Sequence, residues 1–157
     1  MPKSLLKYKN YDVHAITTVH ERNHNANIAT WVIQTAMGGK TVCVALYKID
    51  YTIELVRASK VLNINLLHTG QTNLITKLGR RSGKDSDKFK NLKHDFDSRG
   101  CPFLTEAIGY IQCKVLHSTD AGDHELFVCE VLKQVVLNPE KEVMTNNFLR
   151  ENGLVRG

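Results

Sequence analysis

The side chains best suited to chemistry are concentrated in one loop-like stretch of positive charge. Residues 79–88 contain two glycines, two arginines and two aspartates, and among them Arg81, Ser82 and Lys88 offer a guanidinium, a hydroxyl and an ammonium group. Groups of these types hold phosphate through charge-assisted hydrogen bonds. The wider run 77–93 is rich in lysine and arginine, which predicts recognition of a phosphate or a nucleic acid. A solvated, charged loop without a ligand is the alternative that these residues leave open.

A second candidate for anion binding lies where a predicted strand ends and a helix begins. Leu46, Tyr47 and Lys48 leave the strand, and Tyr51 and Thr52 open the helix, for which Thr52 is the predicted N-cap. Unpaired backbone N–H groups at a helix N-terminus attract anions, and a nearby lysine and hydroxyl add to that attraction. The same residues also fit an ordinary helix cap beside a solvated lysine.

His124 is the histidine placed best for chemistry. It follows the turn Gly122-Asp123 and begins a strand, a position from which a side chain can overhang a pocket. The other histidines and the cysteines lack the spacing of zinc ligands, so no metal site is predicted. The sequence also lacks the glycine motifs of P-loops and dinucleotide-binding folds, and it has no nucleophile elbow of the serine hydrolase type.

The composition is that of one ordinary globular domain. The chain has 157 residues, of which 42% are hydrophobic and 24% charged, and its net charge of +5 permits an anionic partner without naming one. No apolar run approaches the length that spans a bilayer, and the N-terminus lacks the apolar core of a secretory signal. We therefore expect a cytoplasmic protein with no membrane partner.

The four cysteines are expected to be structural. Cys43, Cys113 and Cys129 lie within apolar, strand-like runs, where free cysteine behaves as a small buried hydrophobic residue. Cys101 precedes Pro102 near a predicted loop and is the cysteine most expected to be exposed. Nothing near it in the sequence indicates a lowered thiol pKa, so a reactive role is not predicted.

Alternating and branched residues predict a mainly β domain with short helices. The predicted strands are 13–20, 26–35, 41–47, 61–67, 110–118 and 125–137, and the predicted helices are 52–59, 72–78 and 104–109. Gly38 and Gly39 supply the turn that joins the second and third strands into a hairpin. This pattern favours an antiparallel β-barrel over a doubly wound sheet. We expect a single domain over 1–157, with a core at about 12–137 and a C-terminal arm over 138–157.

Five segments, in their order along the chain, resemble the flavin reductase-like family. They are Asn27-Ile28-Ala29-Thr30-Trp31-Val32, residues 51–56, residues 62–67, the loop 79–89, and residues 121–128, which include Gly122-Asp123-His124. The resemblance covers about residues 12–137. It implies a homodimeric FMN-binding split β-barrel, with FAD as the alternative flavin, that takes a hydride from NADH or NADPH.

The resemblance also implies roles for individual residues. The ring of the flavin would be lined by Asn27, Ile28, Ala29, Thr30, Trp31 and Val32. The phosphate seat would be formed around Leu46, Tyr47, Lys48, Tyr51 and Thr52, and the loop would close the site through Arg81, Ser82 and Lys88. His124 would be the catalytic residue, lying near the nicotinamide and orienting the hydride donor. On residue types alone, 27–32 also fits an ordinary strand with Trp31 in the core or at a dimer interface.

The sequence departs from the family pattern at two places. Met37-Gly38-Gly39-Lys40 replaces a turn that often contains proline, and Leu46-Tyr47-Lys48 stands where the family often has a serine. The bulkier residues at 46–48 are expected to alter the phosphate seat or the preference between FMN and FAD.

Three functions remain under consideration. The first is an NAD(P)H:flavin reductase that serves a redox partner protein or a flavin-dependent monooxygenase. The second is a flavoredoxin-like electron carrier that holds FMN and docks a redox partner. The third is a nucleic-acid-binding β-barrel that uses the run 77–93. Few aromatic residues accompany that run, and single-strand binding uses aromatic side chains for stacking, so no nucleic acid partner is expected.

Overall fold

The computed structural model describes residues 2–80, 82–84 and 87–154. The strands in this part are β1 (His14–His20), β2 (Asn23–Ala29), β3 (Val32–Gln34), β4 (Thr41–Tyr47), β5 (Val61–Leu66), β6 (His94–Phe96), β7 (Pro102–Leu104), β8 (Gly109–Ala121) and β9 (His124–Val136). The helices are α1 (Tyr51–Ser59), α2 (Asn73–Gly79) and α3 (Asn146–Glu151), and short 3₁₀ turns cover Leu5–Tyr8 and Thr69–Gln71. No helix within the described ranges is long and apolar enough to cross a membrane.

Seven of these strands form one antiparallel sheet that curls around α1. Their order is β2-β1-β5-β8-β9-β4-β3, and β6 and β7 pair as a separate hairpin. In a flat sheet β1 and β9 would lie about 14 Å apart, since adjacent strands are spaced by about 4.8 Å. Ile16 of β1 and Phe127 of β9 nevertheless belong to one buried cluster, together with Ile53 of α1. The sheet is therefore a half-barrel, and the predicted mainly β, split-barrel architecture is confirmed.

A second core covers the opposite face of β1 and β2. Ala15 and Ala26 point to this side and pack with Leu74, Leu78 and Leu149 from α2 and α3. Because β1 is covered on both faces, its sequence is a nearly continuous run of small and branched residues without polar alternation. The second core joins the two ends of the chain to the sheet edge formed by β2.

The segment after Asn138 packs on this second core. Met144 is fully buried; its N–H donates to the carbonyl of Leu67 at 3.0 Å, and its carbonyl accepts from the N–H of Val13 at 2.9 Å. Thr145 caps α3 by accepting a hydrogen bond from the N–H of Phe148 at 3.3 Å. As far as residue 154, the expected C-terminal arm thus lies against the body of its own domain.

Two predicted elements differ from the structure. The predicted strand 26–35 is two strands, because Thr30 and Trp31 carry the chain from one edge of the sheet to the other. β2 pairs with β1, whereas β3 pairs with β4. Of the predicted strand 26–35, only Val32–Gln34 therefore forms the predicted hairpin with β4. The predicted helix 104–109 is wrong: Leu104 ends β7, which pairs with β6, and the following residues form a turn.

A buried polar network attaches the β6–β7 hairpin to β5. The carboxylate of Asp97 accepts hydrogen bonds from Arg99 at 2.8 Å and from Asn63 at 3.1 Å. It also accepts from the N–H of Cys101 at 3.1 Å. Cys101 is fully buried, so the expectation that it is exposed is wrong, and burial raises the pKa of its thiol to about 12. The network, and not the apolar character of the neighbouring residues, accounts for this burial.

Candidate functional site

A cleft of about 700 Å³ lies where β2 passes into β3. Its lining includes the chain from Asn27 to Trp31 and the neighbouring residues Ala45, Tyr47 and His124. The N–H of Ala45 donates to the carbonyl of Trp31 at 3.0 Å. The cleft extends past Asp50 at the start of α1 toward the end of α2 and both chain termini. That extension is lined by Leu6, Lys7, Tyr11, Ile75, Gly79, Arg80, Asn146, Leu149, Arg150 and Leu154.

The backbone at the edge of β2 offers polar groups to this cleft. The carbonyl of Ala26 accepts a hydrogen bond from the ammonium of Lys88 at 2.7 Å, so it points away from the neighbouring strand β1. Along an antiparallel strand, the N–H and carbonyl groups of successive residues point alternately to opposite sides. Ile28 is two residues from Ala26, so its N–H and carbonyl also point away from β1. Ile28 lines the cleft, where its N–H and carbonyl can pair with the edge of a flat polar ring.

Asn27 carries an incomplete set of hydrogen bonds. Its amide nitrogen donates to the carboxylate of Asp50 at 3.1 Å. Its side-chain oxygen is buried and has no partner among the described residues. A buried, unpaired acceptor costs about 1–3 kcal/mol, so it requires an explanation such as local strain, a functional role or a bound water or ion. A ligand that brings an N–H donor to this position would satisfy the oxygen.

Three aromatic rings meet at the other end of the cleft. The ring centroid of His124 lies 4.7 Å from Trp31 and 5.2 Å from Tyr47, and the ring of Tyr47 is stacked on it. Trp31 is half exposed, so it is not the core residue that an ordinary strand would bury. The Nδ1 atom of His124 lies 2.8 Å from a carboxylate oxygen of Asp123. This hydrogen bond lowers the pKa of Asp123 and leaves Nε2 as the ring nitrogen that can meet a ligand.

The β8–β9 turn that carries His124 is tied to α1 and to the end of β4. Glu125 accepts hydrogen bonds from Arg57 at 3.0 and 2.6 Å and from Ser118 at 2.7 Å. Burial alone would raise the pKa of Glu125, yet these hydrogen bonds lower it overall. Lys48 pairs with Asp120 and thereby lowers the pKa of that carboxyl. These contacts fix the position from which His124 projects.

Seven of the described residues that were predicted to bind the ligand lie outside the cleft lining: Val32, Leu46, Lys48, Tyr51, Thr52, Ser82 and Lys88. Leu46 is fully buried in the core inside the half-barrel, and Val32 packs against the same core. Lys88 is buried beneath the edge of β2, where its ammonium donates to Ala26 and also to the carbonyl of Leu78 at 2.8 Å. Lys48 is engaged by Asp120, as described above. By contrast Asn27, Ile28, Ala29, Thr30, Trp31, Tyr47 and His124 all line the cleft.

The described part of the loop lies on the first turn of α1. Lys84 pairs with Glu54 at 3.1 Å, and its ammonium lies 5.5 Å from the ring centroid of Tyr51. Gly83 lies so close to Asn25 that an added Cβ would be 2.1 Å from the side-chain oxygen of Asn25. That same asparagine donates to the hydroxyl of the buried Thr52 at 2.9 Å.

The structure therefore gathers Tyr51, Thr52 and the loop residues 82–84 at one place beside the cleft. Ser82 belongs to this group, whereas Arg81 lies outside the described residues.

Sequence reasoning missed the cleft residues that come from the chain ends. Lys7, Tyr11, Asn146 and Arg150 line the cleft, yet no motif or periodicity marks them. They are brought there by long-range packing of the two termini on the second core. Arg80 was within the predicted loop, but nothing in the sequence distinguished it from its neighbour.

The basic run 77–93 does not form one continuous charged surface in the described ranges. Lys77 donates to a backbone carbonyl, Lys84 pairs with Glu54, and Lys93 pairs with Glu106 at 3.1 Å.

Comparison with known proteins gives a family match over most of the chain. A model of the "Flavin reductase like domain" matches residues 9–150. The chain is 27% identical to the high molecular weight rubredoxin of Moorella thermoacetica over 129 residues, which cover 81% of the chain and 56% of that protein. It is also 27% identical to the ferric-chelate reductase (NAD(P)H) of Archaeoglobus fulgidus over 137 residues, which cover 86% of the chain and 80% of that protein.

Some relatives are much longer than this chain. The chain is 28% identical to diflavin flavoprotein A 1 of Synechocystis sp. over 82% of its own length but spans only 22% of that protein.

Solved structures share the fold. A nitrilotriacetate monooxygenase component B homologue from Mycobacterium thermoresistibile superposes with a TM-score of 0.81 at 24% identity, covering 90% of this chain and 78% of that one. The FMN-binding protein from Thermus thermophilus with bound 1-cyclohex-2-enone gives a TM-score of 0.79 at 21% identity, covering 88% of this chain and 78% of that one. At these identities the likeness establishes the split-barrel fold alone.

Proposed function

Because the chain belongs to the family of flavin reductase-like domains, we propose that it binds FMN in the cleft and reduces it with NADH or NADPH. The observation that carries this proposal is the buried, unpaired side-chain oxygen of Asn27 in the wall of a large cleft. FAD remains the alternative flavin, since nothing in the ring-binding part of the cleft distinguishes the two.

The residues present fit a flavin ring. The pyrimidine edge of the ring carries one N–H group, which suits the oxygen of Asn27, and ring carbonyls that suit the outward-facing N–H of Ile28. Ala29 and Ala45 are small and leave room for a flat ring to approach the wall. Asn27, Ile28, Ala29, Thr30 and Trp31 would hold the ring.

A bound flavin supplies the redox chemistry, because its ring accepts a hydride. The protein contributes binding and orientation. His124 lies between Trp31 and Tyr47 with Nδ1 occupied by Asp123, so its ring is held in one orientation. We assign His124 to the positioning of the nicotinamide, with Nε2 as the group that meets it.

The phosphate of FMN has a predicted seat at the first turn of α1. Tyr51, Thr52 and Ser82 are the residues that the resemblance implies there, although the hydroxyl of Thr52 is buried and already accepts a hydrogen bond from Asn25 at 2.9 Å. Lys48, Lys88 and Arg81 remain predictions from the resemblance, although Lys48 and Lys88 are already engaged by protein partners.

The alternative is an electron carrier that holds FMN without its own NAD(P)H activity. The name of the Archaeoglobus relative, a ferric-chelate reductase (NAD(P)H), favours a reductase. Because one solved structure of this fold is a nitrilotriacetate monooxygenase component B homologue, a flavin-dependent monooxygenase is included among the proposed partners. A carrier would need a separate reductase, whereas a reductase reduces its bound flavin when the dinucleotide alone is added.

We also propose that the chain forms a homodimer across the outer face of β3, β4 and β9. Residues that lie directly opposite each other on adjacent strands share a face of the sheet. Ala45 of β4 is opposite Leu126 of β9, and Cys43 of β4 lies between Ile33 of β3 and Val128 of β9. These apolar residues continue the wall that bears His124, and Ile33 is 65% exposed. A second copy on this face would bury them, and light scattering should give twice the mass of one chain.

The proposed ring site is tested by filling the cleft. Ala45→Trp should abolish the retention of FMN through gel filtration, because the new indole would occupy part of the cleft that Ala45 lines. Ala58→Trp, on the exposed face of α1, is the matched control and should retain FMN like the unaltered protein. Retention of FMN by Ala45→Trp would contradict a ring site in this part of the cleft.

A further inference from the structure

Three cationic side chains line one side of the cleft and come from three separate parts of the chain. Lys7 lies in the first 3₁₀ turn, Arg80 follows α2, and Arg150 lies in α3. We call these three residues the cationic rim. The sequence assigned neither Lys7 nor Arg150 to ligand binding, and it included Arg80 only as a member of the basic run 77–93.

Hydrogen bonds between the chain termini assemble the cationic rim. The N–H of Asn146 donates to the carbonyl of Tyr11 at 2.8 Å, and the N–H of Asn147 donates to the side chain of Asn10 at 2.9 Å. The guanidinium of Arg80 donates to the carbonyl of Leu154 at 3.2 Å. These bonds hold the N-terminal turn, the end of α2 and α3 against one another beside the cleft.

The cationic rim is not neutralised within the described residues. Neither Lys7, Arg80 nor Arg150 forms an ion pair with a described carboxylate. Arg150 has one hydrogen bond there, to the side chain of Asn147 at 2.9 Å, and Arg80 has the one to Leu154. A guanidinium has five N–H donors, so each arginine retains several for a ligand.

The charges elsewhere along the cleft direct an anion to this side. Asp50 is the one carboxylate among the described lining residues, and it lies beside the ring-binding Asn27. At the first turn of α1, Glu54 pairs with Lys84 at 3.1 Å, and the carboxylate of Asp50 accepts a hydrogen bond from Asn27 at 3.1 Å. A phosphate at that turn would meet two carboxylates, whereas the cationic rim presents three positive charges.

We propose that Lys7, Arg80 and Arg150 bind the phosphate groups of the ligand that occupies the cleft. The proposal rests on the proposed function, because it takes that ligand to be a flavin nucleotide or a nicotinamide dinucleotide. Guanidinium and ammonium groups at a cleft edge are suited to phosphate through charge-assisted hydrogen bonds. The phosphate of FMN and the pyrophosphate of the dinucleotide share this chemistry, and a phosphate-free analogue of each can separate them.

The test compares ligands with and without phosphate on the full chain. Dissociation constants are measured for FMN and riboflavin by quenching of flavin fluorescence, and KM is measured for NADH and for reduced nicotinamide riboside. The variant is Lys7→Ala with Arg150→Ala, which leaves the tie between Arg80 and Leu154 intact. The matched control is Lys114→Ala with Lys133→Ala, which removes the same charge from exposed positions on β8 and β9 outside the cleft lining. Arg150→Lys tests whether a positive charge at this position, without the guanidinium group, is enough to bind the phosphate.

The expected result is a selective loss for one phosphate-bearing ligand of roughly 10–100-fold, with its phosphate-free counterpart unchanged. A loss for FMN but not riboflavin assigns the cationic rim to the flavin phosphate. A loss for NADH but not the riboside assigns it to the dinucleotide. The proposal would be overturned if the affinity for each phosphate-bearing ligand and for its phosphate-free counterpart changed equally, or if neither changed. It would also be overturned if the control variant showed the same loss.

The failure of this inference differs from the failure of the proposed function. An unaltered protein that binds neither FMN nor riboflavin removes the function and this inference together. If the unaltered protein binds and reduces flavin, and the double variant has the same dissociation constants and KM values for all four ligands, only the role of the cationic rim is refuted.

Discussion

His124 is the residue on which the proposed chemistry most depends, because three neighbours fix its ring. Trp31 and Tyr47 contact the ring, and Asp123 occupies Nδ1 at 2.8 Å. A ring held in this way can position a ligand, and it forms no hydrogen bond with the buried oxygen of Asn27 that we propose for the flavin edge. The two ends of the cleft should therefore respond differently to substitution.

His124→Ala should slow flavin reduction by NADH or NADPH on the order of 10²-fold, since loss of orientation at the reacting centre is that costly. Flavin content should stay unchanged, because the proposed ring contacts lie on residues 27–31. Stopped-flow absorbance under anaerobic conditions measures the rate, and the absorbance of the purified protein measures the content. His117→Ala, at an exposed position on β8, is the control; loss of flavin from His124→Ala alone would place His124 in the flavin site itself.

Single-residue roles were only partly predictable from the sequence. Asn27 was predicted in the cleft wall and lies there, because its segment carries recognisable small and polar residues. Lys88 was predicted as a ligand group from its charge, yet its ammonium is buried and bonded to the carbonyls of Ala26 and Leu78. A charge in a sequence does not reveal whether its partner is a ligand or a distant backbone carbonyl.

At the scale of elements, the β8–β9 turn needs an external anchor because its end is largely exposed. Glu125 follows His124 directly and accepts hydrogen bonds from Arg57 of α1. The helix that fills the half-barrel thus also fixes the turn that bears the proposed catalytic side chain. This coupling makes α1 part of the site although only its first residues approach the cleft.

Arg57→Ala should lower kcat for flavin reduction about tenfold, because the turn that carries His124 loses its tie to α1. Flavin affinity should be kept, and Arg57→Lys should restore part of the rate. Steady-state kinetics with a fluorescence titration of FMN separates the two quantities. Glu130→Gln, on the exposed part of β9, is the control, and an unchanged kcat in Arg57→Ala would show that the anchor does not position His124.

The elements themselves were predictable where a single pattern dominates. The strand 41–47 and the helix 52–59 were predicted from local residue types, and both are confirmed. The helix begins one residue earlier than predicted, at Tyr51, and its N-cap is Asp50 and not Thr52. The division between β2 and β3 was missed because Ala26–Thr35 reads as one strand. Only tertiary structure shows that Thr30 and Trp31 pass between the two edges of a curled sheet, and that passage creates the cleft.

At the scale of the whole molecule, the fold combines a half-barrel core with an outer core that gathers both chain ends. The barrel class followed from the strand pattern, but the outer core did not, since its contacts join residues such as Val13 and Met144 across nearly the entire chain. The cationic rim depends on this closure of the termini. It was therefore beyond any local pattern in the sequence.

The buried network at Asp97 should make the stability of the whole domain depend on acid. Burial would raise the pKa of Asp97, but hydrogen bonds from Arg99, Asn63 and Cys101 hold it below its ordinary value. The stabilisation is therefore fully present above about pH 4, the ordinary aspartate pKa, and is lost as the pH falls through the lowered value.

Asp97→Asn should reduce the free energy of unfolding at pH 7 by about 2–4 kcal/mol, since it leaves a buried guanidinium without its counter-charge. It should also weaken the dependence of stability on pH below about 4. Urea unfolding of both proteins at pH 7 and in acid measures the difference. Asp95→Asn, at an exposed neighbouring site, should have little effect, and equal losses in the two variants would contradict the role of the network.

The central claim is that the cleft holds a flavin that the protein itself reduces. The most direct measurement is the absorbance spectrum of the purified protein after FMN is added and the excess removed, followed by NADH or NADPH without oxygen. The account predicts that yellow absorbance is retained and bleaches within seconds. Retained colour that does not bleach would identify the electron carrier, and no retained flavin would contradict the assignment of the cleft.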